Sequence, residues 1–134
     1  MIEYPKELLY SHNHAWVKIE DSEDHLVTIG ITDYLREELP EILSMDMPMV
    51  HDEFEMDDDC ILLHLDIDEE GDDEFYQIRA PIGGHVTEVN QEVQSNPDLL
   101  HIAPYEHWLL RIIYDDPQEI ELLMDSEKYL VYLA

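Results

Sequence analysis

Apolar residues in this chain come in short runs, and most runs are closed by a cluster of acids or by glycine and proline. Such a chain reads as short strands joined by solvated turns. The first pair sets the pattern. Ala15 to Ile19 and Leu26 to Ile31 flank the acidic turn Glu20, Asp21, Ser22, Glu23 and Asp24. Val27, Ile29 and Ile31 alternate with Thr28 and Gly30, the period-two signature of a half-buried strand. A short helical segment follows, opened by Thr32 as a cap, carried by Tyr34, Leu35, Leu39 and Ile42 at uneven helical spacing, and ended by Pro40.

The chain is then extended from Ile42 through Met47, and Asp52 to Asp59 reads as an acidic turn. Cys60 to Leu65 is the most apolar strand, and Phe75 to Arg79 returns alongside it, so the two make a hairpin with a long charged tip. Gly83 and Gly84 permit a tight turn before His85 to Val89. Asn96 and Pro97 mark another turn, with the run Leu99 to Ile102 after it, and Trp108 to Ile113 is a final strand. Asp116, Pro117 and Glu119 are a helix-start signal, and Ser126, Tyr129, Leu130 and Leu133 suit a second terminal helix. The expected architecture is mostly β, a compact sandwich or barrel with short peripheral and C-terminal helices, in one domain over residues 1–134.

Composition narrows the function classes. The chain has 134 residues, of which 45% are hydrophobic, enough for a core without staples or a metal. Six basic residues against 34 acidic ones leave a formal charge of -28. That balance excludes a nucleic-acid groove and an anionic membrane surface, because both need cations to meet phosphates. It also opposes compaction, so added salt is expected to stabilise the fold. A single cysteine, Cys60, forms no internal disulfide and reads as a small buried hydrophobe. Met1 to Pro5 resembles no export signal, and the longest stretch without a charged residue runs only from Leu8 to Val17, too short to span a bilayer. Cytoplasm is the expected location.

Several segments resemble the glycine-cleavage H protein family. His14, Ala15, Trp16 and Val17 resemble its His-acid-Trp-Val opening, with Ala15 in place of the acid, and Gly30, Ile31, Thr32, Asp33 and Tyr34 match its Gly-Ile-Thr-Asp-Tyr segment in full. Met47 and Pro48 fall at its Leu-Pro. Ala80, Pro81, Ile82, Gly83 and Gly84, then Val86, Val89 and Asn90, resemble its Ala-Pro-Val-Ser-Gly segment and the following strand. Pro97, Leu99, Pro104, Tyr105, Trp108 and Leu109 follow its C-terminal part, as do Asp116, Pro117 and Tyr129. These fragments are collinear and cover nearly the whole chain.

The resemblance implies a barrel-sandwich hybrid fold of the lipoyl-domain kind. It also implies a non-enzymatic carrier whose lipoyl-lysine, at a hairpin tip, moves an aminomethyl group among the glycine-cleavage enzymes. Here the pattern breaks. The family has a Glu-Ser-Val-Lys-Ala tip, whereas this chain runs from Leu65 through a longer acidic loop to Ile78 and Arg79, and its lysines are Lys6, Lys18 and Lys128 alone. A lipoyl amide needs a primary amine, so no cofactor is expected. The family positions retained as structural or partner-surface candidates are His14, Trp16, Gly30, Asp33, Tyr34, Pro81, Gly84, Asn90, Tyr105 and Trp108.

Other constellations are weak. Asp66, Asp68, Glu70 and Glu74 fit the first part of a calcium-loop spacing, but Gln77 stands where a bidentate glutamate is wanted, and accidental likeness in an acid-rich chain is the better reading. His12, His14, His64, His85, His101 and His107 have no zinc spacing. No serine or cysteine has the surroundings of a nucleophile. The leading expectation is a non-lipoylated H-protein homologue that binds a protein partner, from the glycine-cleavage or lipoate-handling proteins. Two alternatives stand beside it: an acidic, cation-responsive scaffold, and an H protein by descent that has lost its carrier activity.

Overall fold

The computed structural model describes residues 4–66 and 74–134. Among the described residues, nine strands and five helices follow one another as β1 (Leu9–Tyr10), β2 (Ala15–Asp21), β3 (Leu26–Ile31), α1 (Asp33–Glu38), β4 (Ile42–Asp46), β5 (Glu53–Phe54), β6 (Asp59–Leu65), β7 (Glu74–Arg79), β8 (Gly84–Val89), α2 (Gln91–Ser95), α3 (Asp98–Ile102), β9 (Leu110–Tyr114), α4 (Pro117–Glu121) and α5 (Ser126–Leu133). They build two sheets. One has six strands in the order β1-β2-β3-β9-β8-β5, and the other has three in the order β4-β6-β7.

This corrects the expected fold class. Each sheet is open, with β1 and β5 as the edges of the larger and β4 and β7 as the edges of the smaller. Neither closes into a barrel, so the fold is a mixed α/β arrangement of two open sheets rather than a mostly β barrel-sandwich hybrid. The connection between β8 and β9 accounts for part of the difference, because α2 and α3 occupy it where the sequence signals a turn at Asn96 and Pro97 and a short apolar run from Leu99 to Ile102. The acidic segment at Asp52 also holds the short strand β5, paired to β8 through Glu53 opposite His85 and Phe54 opposite Gly84.

Local chemistry explains most element ends. Thr32 caps α1, its hydroxyl accepting from the Leu35 amide, and Leu39 leaves the helix in an extended conformation just before Pro40. Asp116 caps α4 through the Gln118 amide, with Pro117 in the first turn, and Asp125 caps α5 through the Lys128 amide. The main core lies between the sheets and includes Val17, Val27, Ile29, Ile31, Ile61 and Ile112.

A second apolar cluster, Leu8, Tyr10, Trp16 and Tyr129 with Tyr4, Tyr105, Trp108, Met124 and Leu133 around it, lies apart from the main core. Along β2 the side-chain alternation sends Val17 to the main core and Trp16 to this aromatic layer. That layer overturns the expectation of a half-buried β3. Val27 to Ile31 are all buried, because the second face is covered as well. Gly30 makes this possible: it faces Trp16 in the register, and a β-carbon there would stand 2.5 Å from the indole carbons.

Candidate functional site

The resemblance puts a carrier's lipoyl-lysine at a hairpin tip, and the corresponding hairpin here is β6 with β7. β6 and β7 are paired from Leu65 opposite Glu74 to Asp59 opposite Arg79. Ile61, Leu63 and Leu65 are buried, while Leu62 and His64 are only half-buried on the alternate face. His64 meets Phe75 edge to face at 5.0 Å, and its Nε2 lies 2.9 Å from Asp46 Oδ2 on β4. The lysines lie elsewhere in the fold. Lys6 precedes β1, Lys18 is on β2 with Glu20 at 3.6 Å, and Lys128 is on α5. Residues 67–73 join the two strands, and their sequence contains neither lysine nor arginine.

Of the calcium candidates, Asp68 and Glu70 lie outside the described residues, as does the side chain of Glu74. Asp66 precedes them, and its amide donates to the Glu41 carbonyl at 2.9 Å. Among the described residues no group of three or more His, Cys, Asp or Glu side chains is arranged to hold a metal ion. Burial pushes the Cys60 thiol up to about 12, which keeps it protonated and a poor nucleophile.

Seven of the family-like positions, His14, Trp16, Gly30, Asp33, Tyr34, Tyr105 and Trp108, meet at or against the aromatic layer. His14 has a positive φ of 67° and closes a loop in which its amide donates to the Ser11 carbonyl. Its Nδ1 lies 2.7 Å from the Tyr129 hydroxyl, which lies 2.9 Å from Thr32 Oγ1. One assignment satisfies all three groups. Tyr129 donates to a neutral His14, Thr32 donates to Tyr129, and Thr32 accepts from the Leu35 amide. Burial lowers the His14 pKa below the ordinary histidine value, against a smaller opposing pull from Glu38, so the neutral ring is favoured. Burial raises the Tyr129 pKa, partly offset by the Thr32 hydrogen bond.

The Tyr34 ring packs 4.5 Å from His14, and Tyr10 stacks on Tyr129 at 4.7 Å. Trp16 Nε1 donates to the Pro104 carbonyl at 3.1 Å. The Asp33 amide donates to the Tyr105 hydroxyl at 3.1 Å, and Arg36 Nε donates to the Asp33 carboxylate at 2.8 Å. The hydrogen-bonding groups of Trp16, Thr32, Asp33, Tyr105 and Tyr129 therefore have structural tasks.

The remaining positions fall into two further places. Asn90 Nδ2 donates to the Trp108 carbonyl at 2.8 Å, and the Arg111 guanidinium lies 4.2 Å over the Trp108 ring. Pro81 lies in the buried bend between β7 and β8, and Gly84, also buried, opens β8. A β-carbon on Gly84 would collide with the Ile113 carbonyl oxygen across the sheet.

The family model for "Glycine cleavage H-protein" matches residues 8–134. The chain belongs to this family. It is 38% identical over 130 residues to a glycine cleavage system H protein of Halothermothrix orenii and 35% identical over 130 residues to one of Alkalilimnicola ehrlichii, each comparison covering 96% of this chain and 94% of the relative. The crystal structure of a glycine cleavage system H protein from Mycobacterium marinum superposes with a TM-score of 0.77 at 21% identity, covering 95% of this chain and 96% of the other, which places the fold beside it. As a member of this family the chain is not itself an enzyme. Among the described residues no helix is long and apolar enough to cross a membrane.

Within this H-protein scaffold, sequence reasoning underrated three residues. Tyr129 reads as the apolar side of a terminal helix and Thr32 as a helix cap, yet the two meet His14 in one buried network with Tyr10 stacked against it. The available signal was the count of eight tyrosines against two phenylalanines, an excess expected where rings are buried and their hydroxyls need partners.

Proposed function

We propose that this chain is a non-lipoylated H-protein homologue, a one-domain, cytoplasmic, protein-binding module that regulates glycine cleavage or another lipoate-dependent system. The observation that carries the reading is the absence of lysine from Ile19 to Glu127 in a chain that belongs to the H-protein family. Neither an arginine nor a carboxylate forms the amide that attaches a lipoyl group. Lys18 on β2 and Lys128 on α5 stand on elements other than the β6–β7 hairpin, so neither replaces a lysine at its tip. A scaffold without its arm keeps the means to occupy a carrier's partner and loses the means to shuttle cargo.

Two measurements test the two halves of this reading. Co-expression with a lipoate ligase and free lipoate should leave the intact mass unchanged, and a stoichiometric lipoyl adduct on Lys18 or Lys128 would overturn the loss of the carrier role. In a reconstituted glycine-cleavage reaction driven by a lipoylated H protein, added wild-type chain should inhibit. An absence of inhibition at a large molar excess would leave an H protein by descent without the proposed regulatory role.

A further inference from the structure

The outer face of the three-stranded sheet carries apolar groups that the core does not use. Leu43, at the register shift in β4, is 56% exposed, and Phe75 on β7 is 50% exposed. Between them the half-buried Leu62 and His64 stand on β6, with Ser44 and Phe75 as the register partners of His64. These apolar and aromatic groups share one face of the sheet with Ser44, Asp46 and Gln77 as register neighbours, His64 and Phe75 are in contact, and the two outer strands of the sheet are both edges. Exposed Glu41, Asp46, Asp59 and Asp66 stand around these groups. The basic residue on this sheet is Arg79, and Asp59 holds it at 3.3 Å.

An apolar centre inside a charged rim is the anatomy of a protein interface, and the sign of the rim selects the occupant. A second copy would bring another chain of formal charge -28 against the same acids. Nucleic acid and anionic membrane are repelled for the same reason. A segment carrying lysine or arginine meets the rim favourably, and an extended segment is also able to hydrogen-bond to an edge strand. Building on the module reading above, we propose that this face docks an extended, lysine- or arginine-rich segment of a partner protein, anchored by apolar side chains on Leu43, Leu62 and Phe75.

The probe is a synthetic peptide of alternating lysine and valine, titrated into the isotopically labelled full chain while amide chemical shifts are followed, with a lysine-only peptide of equal charge as control. Saturable shifts should cluster on β4, β6 and β7. Phe75→Ser should weaken binding about tenfold, the scale of a central apolar contact, while Leu130→Ser on α5 should leave it unchanged. Leu43→Ser is the second variant, read in the same way should Phe75→Ser disturb the amide spectrum of the free protein. Shifts spread over the whole acidic surface or centred on α5, equal binding of the lysine-only peptide, or wild-type affinity in a folded variant would overturn the proposal. So would concentration-dependent dimerisation through this face. The glycine-cleavage assay separates the two ideas. If Phe75→Ser inhibits as well as wild type, the docking face is wrong and the module reading stands. If wild type does not inhibit while the peptide maps to the sheet, the module reading falls and the face stands.

Discussion

The aromatic layer over β1 to β3 and the outer face of β4, β6 and β7 treat their side chains in opposite ways. In the aromatic layer Tyr10 and Tyr129 are fully buried, and the Tyr129 hydroxyl is committed to His14 and Thr32. On the small sheet Leu43 and Phe75 remain half exposed, and the nearby polar contacts, His64 with Asp46 and Arg79 with Asp59, lie at the surface. The first region spends its chemistry on holding β1, β2 and α5 together. The second leaves apolar surface and charge facing outward, so residues that resemble a functional motif lie on the structural side while the face free to meet a partner lies elsewhere.

The sharpest way to break this contrast is to truncate one ring on each side. Tyr129→Ala should destabilise by about 3–5 kcal/mol, the range for removing a large buried aromatic side chain. Tyr129→Phe should cost about 1–3 kcal/mol, because it leaves His14 and Thr32 without their shared partner. Phe75→Ala on the half-exposed face should stay within about 0.5 kcal/mol. Denaturant melts of the three variants provide the comparison. Equal losses for Tyr129→Ala and Phe75→Ala would remove the distinction between the two regions.

Gly84→Ala is the next largest expected effect. A β-carbon there meets backbone, the Ile113 carbonyl oxygen and the Tyr114 α-carbon, which cannot swing aside as a side chain can. A loss of about 1–3 kcal/mol is expected, read as a lower unfolding midpoint. Stability equal to wild type would show that the pairing of β8 with β9 is looser than its register implies.

The same positions show what was legible in the sequence. The strand pairs and the caps of α1 and α4 were readable because alternation, Thr32 and the Asp116-Pro117 pair act locally. The two-sided burial of β3 was not, because Thr28 and Gly30 look like an outward face until Trp16 and Arg111 are known to cover them. The openness of the sheets depends on which strands end without a neighbour, a long-range property that no local pattern carries. The hairpin was predicted from two apolar runs and an acidic gap, but its apolar outer face emerged only with the β4 register, which sets Ser44 beside His64.

Salt should divide the two regions by a smaller margin. Thirty-four acids against six basic residues exceed what local pairing neutralises. Raising sodium chloride toward about 1 M, where the Debye length is about 3 Å, should therefore raise the unfolding midpoint. Potassium chloride should act alike. The increment should persist in Tyr129→Phe, because the buried hydroxyl network makes no use of the screened surface charges. A midpoint that stays flat or falls between low and moderate salt would mean that the acids are compensated within the fold.

The smallest expected effect belongs to a single imidazole and separates the regions by pH. Burial holds the His14 pKa below the unfolded value of about 6.5, and the opposing attraction of Glu38 is the lesser influence. The groups packed on the ring are the phenol rings of Tyr34, Tyr129 and Tyr132. In the window between the folded and unfolded values the unfolded chain binds more protons than the folded one, so stability rises with pH there. The favourable contribution of neutral His14 is complete above about pH 6.5 and is lost as pH falls toward the folded value. His14→Asn tests this without changing the backbone requirement, since asparagine accepts a positive φ and its carboxamide oxygen is an acceptor in place of Nδ1. Its stability should fall less steeply than wild type as pH drops from 7 through this window. Carboxylates elsewhere titrate in both proteins, so the informative quantity is the difference between the two pH curves. The same slope in His14→Asn as in wild type would show that the acid sensitivity resides elsewhere in the chain and that the aromatic layer tolerates a charged imidazole.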